Sequence, residues 1–102
     1  MYTTTASFTF QNTQAKEDFL QILRGRNGLS VTRGWEGCLD VKLYTNNDNE
    51  NQVFIVGNWE EKKNHESYLE MRKETGLLGQ IVSTLEGGES GLDIRNYSTI
   101  RI

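Results

Sequence analysis

The chain has 102 residues, of which 35% are hydrophobic and 25% charged, the composition of one soluble globular domain with a modest core. A net charge of −3 and an isoelectric point near 5.1 do not suggest nucleic-acid binding, which needs a basic patch or stripe, so no nucleic-acid partner is expected. No apolar run approaches the roughly 20 residues of a membrane-spanning helix, so no membrane partner is expected, and one cysteine, Cys38, cannot form an internal disulfide.

The start, Met1-Tyr2-Thr3-Thr4-Thr5, lacks the charged and apolar regions of a signal peptide, so a cytoplasmic protein is expected. From Tyr2 to Phe10 the chain alternates: Tyr2, Thr4, Ala6, Phe8 and Phe10 share one parity, and Thr3, Thr5, Ser7 and Thr9 the other. Period two in β-branched and aromatic residues predicts a strand. Asn12 or Thr13 can cap a following helix through a side-chain oxygen, and Ala15, Phe19, Ile22 and Leu23 fall on one helical face. Gly25 and Gly28 end it. Residues Arg26 to Gly37 show little pattern and read as a loop carrying an exposed Trp35. Leu39, Val41 and Leu43 then alternate with Asp40, Lys42 and Tyr44 as a second strand, followed by a polar connection over Asn46–Asn51.

The third strand, Val53–Glu60, is apolar on both parities in its first half. Val53, Ile55, Gly57 and Trp59 lie on one side, and Phe54, Val56 and Asn58 on the other. A charged helix begins near Glu61, with Glu60, Glu61, Lys62 and Lys63 as a solvated first turn. His65, Tyr68, Leu69 and Arg72 share a face at i, i+3, i+4 and i+7. Gly76 breaks this helix, and a second one is expected over Leu77–Glu86, with Leu77, Leu78, Ile81, Val82 and Leu85 as its stripe. Gly87-Gly88 stops it, and Leu92 to Ile100 reads as the last strand. Strand, helix, strand, strand, helix, strand is the ferredoxin-like order of an α+β domain, here a single one over residues 1–102. With both helices on one face of an antiparallel sheet, the other face stays wet unless covered. Each large apolar side chain left there forgoes roughly 1.5–3 kcal/mol of burial, so a second copy of the same sheet, a homodimer, is expected.

One histidine and one cysteine cannot supply the ligands of a zinc centre, and no phosphate-binding glycine pattern occurs. Cys38, at a strand entry after Gly37, reads as packing. Trp59 is a structural anchor that can also shape a pocket, and Asn58 needs a hydrogen-bond partner wherever it is buried. His65 can act as a general base, its ordinary pKa lying near neutrality, or be a helix histidine bonded locally or wetted, and Arg72 can hold an anionic oxygen or pair with surface neighbours such as Glu66 and Glu70.

Gly37-Cys38 opening a strand, Trp59 closing the next and His65 on the helix after it resemble the antibiotic biosynthesis monooxygenase family. The resemblance implies a dimeric α/β barrel and oxygen insertion into an aromatic substrate without metal or flavin, and the missing ligand set leads to the expectation that no haem is bound either. It implies a quinol or polycyclic phenol as substrate, with molecular oxygen as co-substrate. Cofactor-free members use Asn and Trp side chains near this strand end, which carries over to Asn58 and Trp59. In that scheme His65 is the base, Asn58 and Arg72 are donors, and Trp59, Tyr68, Leu69 and Phe8 line the substrate cavity. Haem-binding or haem-degrading relatives offer a second reading. They carry an Asn on the first strand, where this chain has Thr4, Thr5 and Ala6, and a Trp about where Tyr68 stands. The same fold also suits a non-enzymatic, stress-related dimer that binds a small metabolite, or an isomerase of a small phosphorylated carbonyl compound.

Overall fold

Strand β1 (Tyr2–Thr9) runs inside a four-stranded sheet of order β2-β3-β1-β4 in the computed structural model, which describes all residues from Met1 to Ile102. Its neighbours are β3 (Asn49–Trp59) and β4 (Leu92–Ser98), while β2 (Cys38–Asn46) is the far edge beyond β3. Every pairing is antiparallel. Thr4 stands opposite Gly57, Ala6 opposite Ile55 and Phe8 opposite Val53, so the even positions of β1 share a face with the odd positions of β3. That face carries the core. Phe8, Phe10, Phe19, Leu23, Val53, Ile81 and Leu85 form one buried cluster, with the rings of Phe8 and Phe19 4.9 Å apart.

The helices covering this face are α1 (Thr13–Arg24), α2 (Leu29–Gly34), α3 (Lys62–Glu74) and α4 (Leu77–Val82). Asn12 caps α1, its side-chain oxygen accepting from the Ala15 backbone N–H at 2.8 Å. Gly76 separates α3 from α4 with a left-handed φ of 80°, which a glycine adopts without a Cβ penalty. The α+β, ferredoxin-like architecture read from the chain is the one observed.

Four details differ from the sequence reading. Residues Leu29–Gly34, expected as loop, form α2. Six residues carry no readable apolar stripe, and tertiary hydrogen bonds to its start hold this turn of helix. The hairpin is tighter than expected, because β3 begins at Asn49 and pairs through Asn46. Asn side chains bridge the turn, Asn46 Oδ1 accepting from the Asp48 N–H at 2.8 Å. Helix α4 stops at Val82 rather than near Glu86, and Leu85 instead bridges Phe10. Strand β4 ends at Ser98, two residues short of Ile100.

Candidate functional site

Trp59 sets the site. It is 2% exposed at the end of β3, and its indole N–H donates to Thr4 Oγ1 at 3.3 Å across the neighbouring strand. The indole folds back over Gly57, where a Cβ would stand 3.0 Å from Trp59 Nε1. Glycine at that position is therefore what lets the ring lie against the sheet. Gly37 fixes the helix that follows. Its φ is +83°, and a Cβ there would collide with the Asn64 side chain. Asn64 in turn accepts from the Glu61 N–H at 3.0 Å and pins the first turn of α3. The Gly37 carbonyl accepts from the Glu60 N–H at 2.8 Å. The chain thus leaves β3 in one direction, and α3 lays His65, Tyr68 and Arg72 back over the sheet.

Between the sheet and the four helices lies a cavity of about 110 Å³, lined mainly by hydrophobic side chains. Phe8, Trp59, His65, Tyr68, Leu69 and Arg72 all line it. His65 packs between Trp59 and Tyr2, with ring centroids 5.3 and 6.1 Å away. Burial holds its pKa below 6.5, and the opposing pull of Glu66 is the smaller cause. The buried imidazole is accordingly neutral at pH 7 and has a nitrogen lone pair to accept a proton.

Tyr68 is joined to two further groups. Its ring lies 5.3 Å from that of Trp59 and edge-on to Trp35 at 6.1 Å. Its hydroxyl shares a hydrogen bond of 2.6 Å with Thr32 Oγ1 and accepts from Arg72 Nε at 2.8 Å. Arg72 is 7% exposed. Its other donors go to the Asn27 carbonyl at 2.7 Å, the Gly28 carbonyl at 2.9 Å and Thr32 Oγ1 at 3.2 Å. Every one of these acceptors is neutral, so a buried cation stands here without a counter-charge. These same bonds tie α3 to the start of α2.

Three sequence readings change at this point. Arg72 does not pair with surface acids, because its guanidinium turns inward beneath α2. Asn58 does not reach the cavity. It lies on the opposite face of the sheet, accepting from Thr3 Oγ1 at 2.7 Å and donating to Asp40 Oδ1 at 2.6 Å. Adjacent strand residues point to opposite faces, and no bulge on β3 rotates Asn58 beside Trp59. Trp35 is half-buried rather than exposed, its indole N–H donating to Ser67 Oγ at 3.0 Å. Two polar groups of the site had no local signal. Thr32 lay in a stretch without pattern, and Thr4 lay among like residues of a strand.

Cys38 is half-buried, and burial, with Asp40 adding to it, pushes its thiol up against a smaller lowering by Arg33, so it stays protonated at neutral pH. No cluster of three or more His, Cys, Asp or Glu side chains could hold a metal ion, and no helix is long and apolar enough to cross a membrane.

Comparison with known proteins bears on this cavity. The chain resembles Rv0793 of Mycobacterium tuberculosis with a TM-score of 0.80 at 13% identity, over 99% of this chain and 96% of that one. It resembles a monooxygenase from the gene ActVA-Orf6 of Streptomyces coelicolor, solved with the ligand Nanaomycin D, with a TM-score of 0.76 at 13% identity, over 99% and 88%. It also resembles a mutant of SnoaB, a cofactor-independent oxygenase of Streptomyces nogalater, with a TM-score of 0.74 at 10% identity, over 99% and 94%. At these identities the likeness carries the fold. No curated protein sequence matches. The sequence model of the antibiotic biosynthesis monooxygenases matches residues 1–75, which span β1 through α3 and so include Trp59, His65, Tyr68 and Arg72. By that match over residues 1–75 of 102, the chain belongs to the antibiotic biosynthesis monooxygenase family.

Proposed function

We propose that the protein is a cytoplasmic, cofactor-independent monooxygenase that oxidises a quinol or other phenolic substrate with molecular oxygen inside the cavity beneath α3. The observation that carries this reading is the pairing of a neutral buried imidazole, His65, with a mostly apolar cavity whose wall holds an uncompensated guanidinium, Arg72. Membership of the family supports it, as does the description of SnoaB as a cofactor-independent oxygenase.

The chemistry follows from the groups present. His65 takes the phenolic proton, and the phenolate supplies the electrons that a metal or flavin would otherwise provide. A ring carbon that bears hydrogen, para to the oxygen in a simple phenol and ortho to it in a quinol (which then gives a hydroxyquinone and water), bonds to one atom of O₂, and the O–O bond breaks. The second oxygen leaves as water with the phenolic proton and the ring proton, so phenol and O₂ become quinone and H₂O. Arg72 favours the anion through the Tyr68 and Thr32 hydroxyls, and the apolar walls keep bulk water from quenching it. Trp59, Leu69 and Phe8 act as walls. Asn58 serves as a cross-strand fastener in this reading. Haem fits the site less well, since a macrocycle exceeds a cavity of about 110 Å³.

Removing a general base typically lowers a rate by 10²–10⁴-fold. His65→Ala is expected to slow substrate-dependent oxygen uptake by about that factor. Circular dichroism should show the variant folded. Unchanged uptake by a folded variant would remove His65 from the mechanism.

A further inference from the structure

We propose that the cavity selects a single-ring phenol or quinol, with one oxygen held by the Thr32–Tyr68 hydroxyl pair and the body of the ligand directed toward Phe8 and Phe19. Its oxidation rests on the function proposed above, whereas its binding does not.

An apolar cavity on the order of 150 Å³ takes one benzene ring, and multi-ring, drug-sized ligands occupy roughly 300–1,000 Å³. At about 110 Å³ this cavity is on the scale of one ring.

Thr4 pairs with Gly57 and Phe8 with Val53, four residues further along the same two strands. At about 3.3 Å per residue the two pairs stand roughly 13 Å apart. The polar groups gather at the Trp59 end, where Tyr68 and His65 both pack on the indole. The Phe8 end is apolar, with Phe19 against Phe8 and Ile81 in the same cluster. A ligand with one polar end and one apolar end matches this polarity in one orientation only.

Arg72 lines the cavity, yet Nε, Nη1 and Nη2 already donate to Tyr68, Asn27, Gly28 and Thr32. Its fork is closed to the bidentate grip that a carboxylate takes. The Tyr68 and Thr32 hydroxyls bring two hydrogens, and one lies in the 2.6 Å bond between them. The other remains to donate to a ligand, which makes a site for a single acceptor oxygen. The cation behind the pair favours that oxygen as an anion. Arg72 is thus a positioning residue here, and Tyr68 and Thr32 touch the substrate.

The test is an anaerobic titration of the purified full chain, read by tryptophan fluorescence and by NMR shifts, so that no turnover intervenes. The probes are para-propylphenol, para-propylbenzoate, propylbenzene and an anthracenol. We expect para-propylphenol to bind about tenfold more tightly than the benzoate or the anthracenol. Tyr68→Phe should weaken para-propylphenol by about fivefold and leave propylbenzene unchanged, which loss of packing alone would not do. Thr32→Val should act in the same direction. An anthracenol that binds as tightly as the single-ring phenol would overturn the proposal. So would phenol and propylbenzene weakening together in both folded variants. If binding follows the expected order while meta-propylphenol, whose para carbon carries the hydrogen that the proposed step removes, drives no oxygen uptake, the selectivity stands and the monooxygenase reading falls.

Discussion

His65 couples site and stability in one side chain. Burial holds its pKa below 6.5 in the folded protein, while the unfolded chain titrates it near 6.5. Well above pH 6.5 neither state protonates it and stability is unaffected. As pH falls from 6.5 toward the lower folded value, the unfolded state binds a proton that the folded state lacks, and the protein loses stability across that window. Below the folded value the loss levels off. Urea denaturation at a series of pH values is expected to show this loss in the native chain and its absence in His65→Phe. The reading of Arg72 fared differently. Helical spacing placed it on the face of His65 and Tyr68, but its bonding partners, Asn27, Gly28 and Thr32, lie 40 to 45 positions away. No local pattern links residues so far apart in the chain.

Glycines decide how the elements join. Gly76 has φ +80° with nothing within 4 Å of an added Cβ, so Gly76→Ala meets only the backbone penalty of the left-handed region, about 1 kcal/mol. Gly37 has a similar φ of +83°, but its Cβ would strike Asn64, which caps α3. Gly37→Ala is therefore expected to cost more than Gly76→Ala, by about 1–2 kcal/mol from the lost cap and collision. Thermal unfolding of the two variants side by side measures the difference. Equal melting temperatures would mean that Asn64 does not depend on the space at Gly37. The division of the second helical region at Gly76 was readable because the apolar phase breaks there. Helix α2 was not readable, because its Thr32 hydroxyl and the carbonyl of its N-cap Gly28 are held by Arg72 from α3 rather than by an apolar stripe of its own.

One face of the whole molecule is left without helices. Phe54 and Val56 lie on it, with Phe54 6.5 Å from the ring of Tyr44, and Tyr44 and Tyr97 are each 49% exposed. Threonines and serine of β1 fill the space between, with Thr5 opposite Val56 and Ser7 opposite Phe54. We propose that a second copy covers this face as a homodimer, the assembly that the two-sided apolar character of β3 calls for. Light scattering at micromolar concentration should return twice the chain mass of 11.7 kDa. Val56→Lys, which places a charge in the middle of the proposed contact, should shift the protein to the monomer mass. A native chain that scatters as a monomer would remove the proposal.

The sequence by itself determined the order of the main elements, the faces of the strands and the helical face that carries His65, Tyr68, Leu69 and Arg72. These follow from periods of two and 3.6, which are local properties of a chain. Strand parity even separated Asn58 from Trp59, and the structure keeps them on opposite faces. Only the tertiary structure decided which polar groups meet. The Thr32–Tyr68 bond spans 36 positions and the Trp59–Thr4 bond 55, and each forms because sheet register and helix docking bring two otherwise ordinary side chains within hydrogen-bond reach. The volume of the cavity was likewise a tertiary matter. It is the space left where four helices meet one sheet, and packing of that kind depends on every neighbour at once.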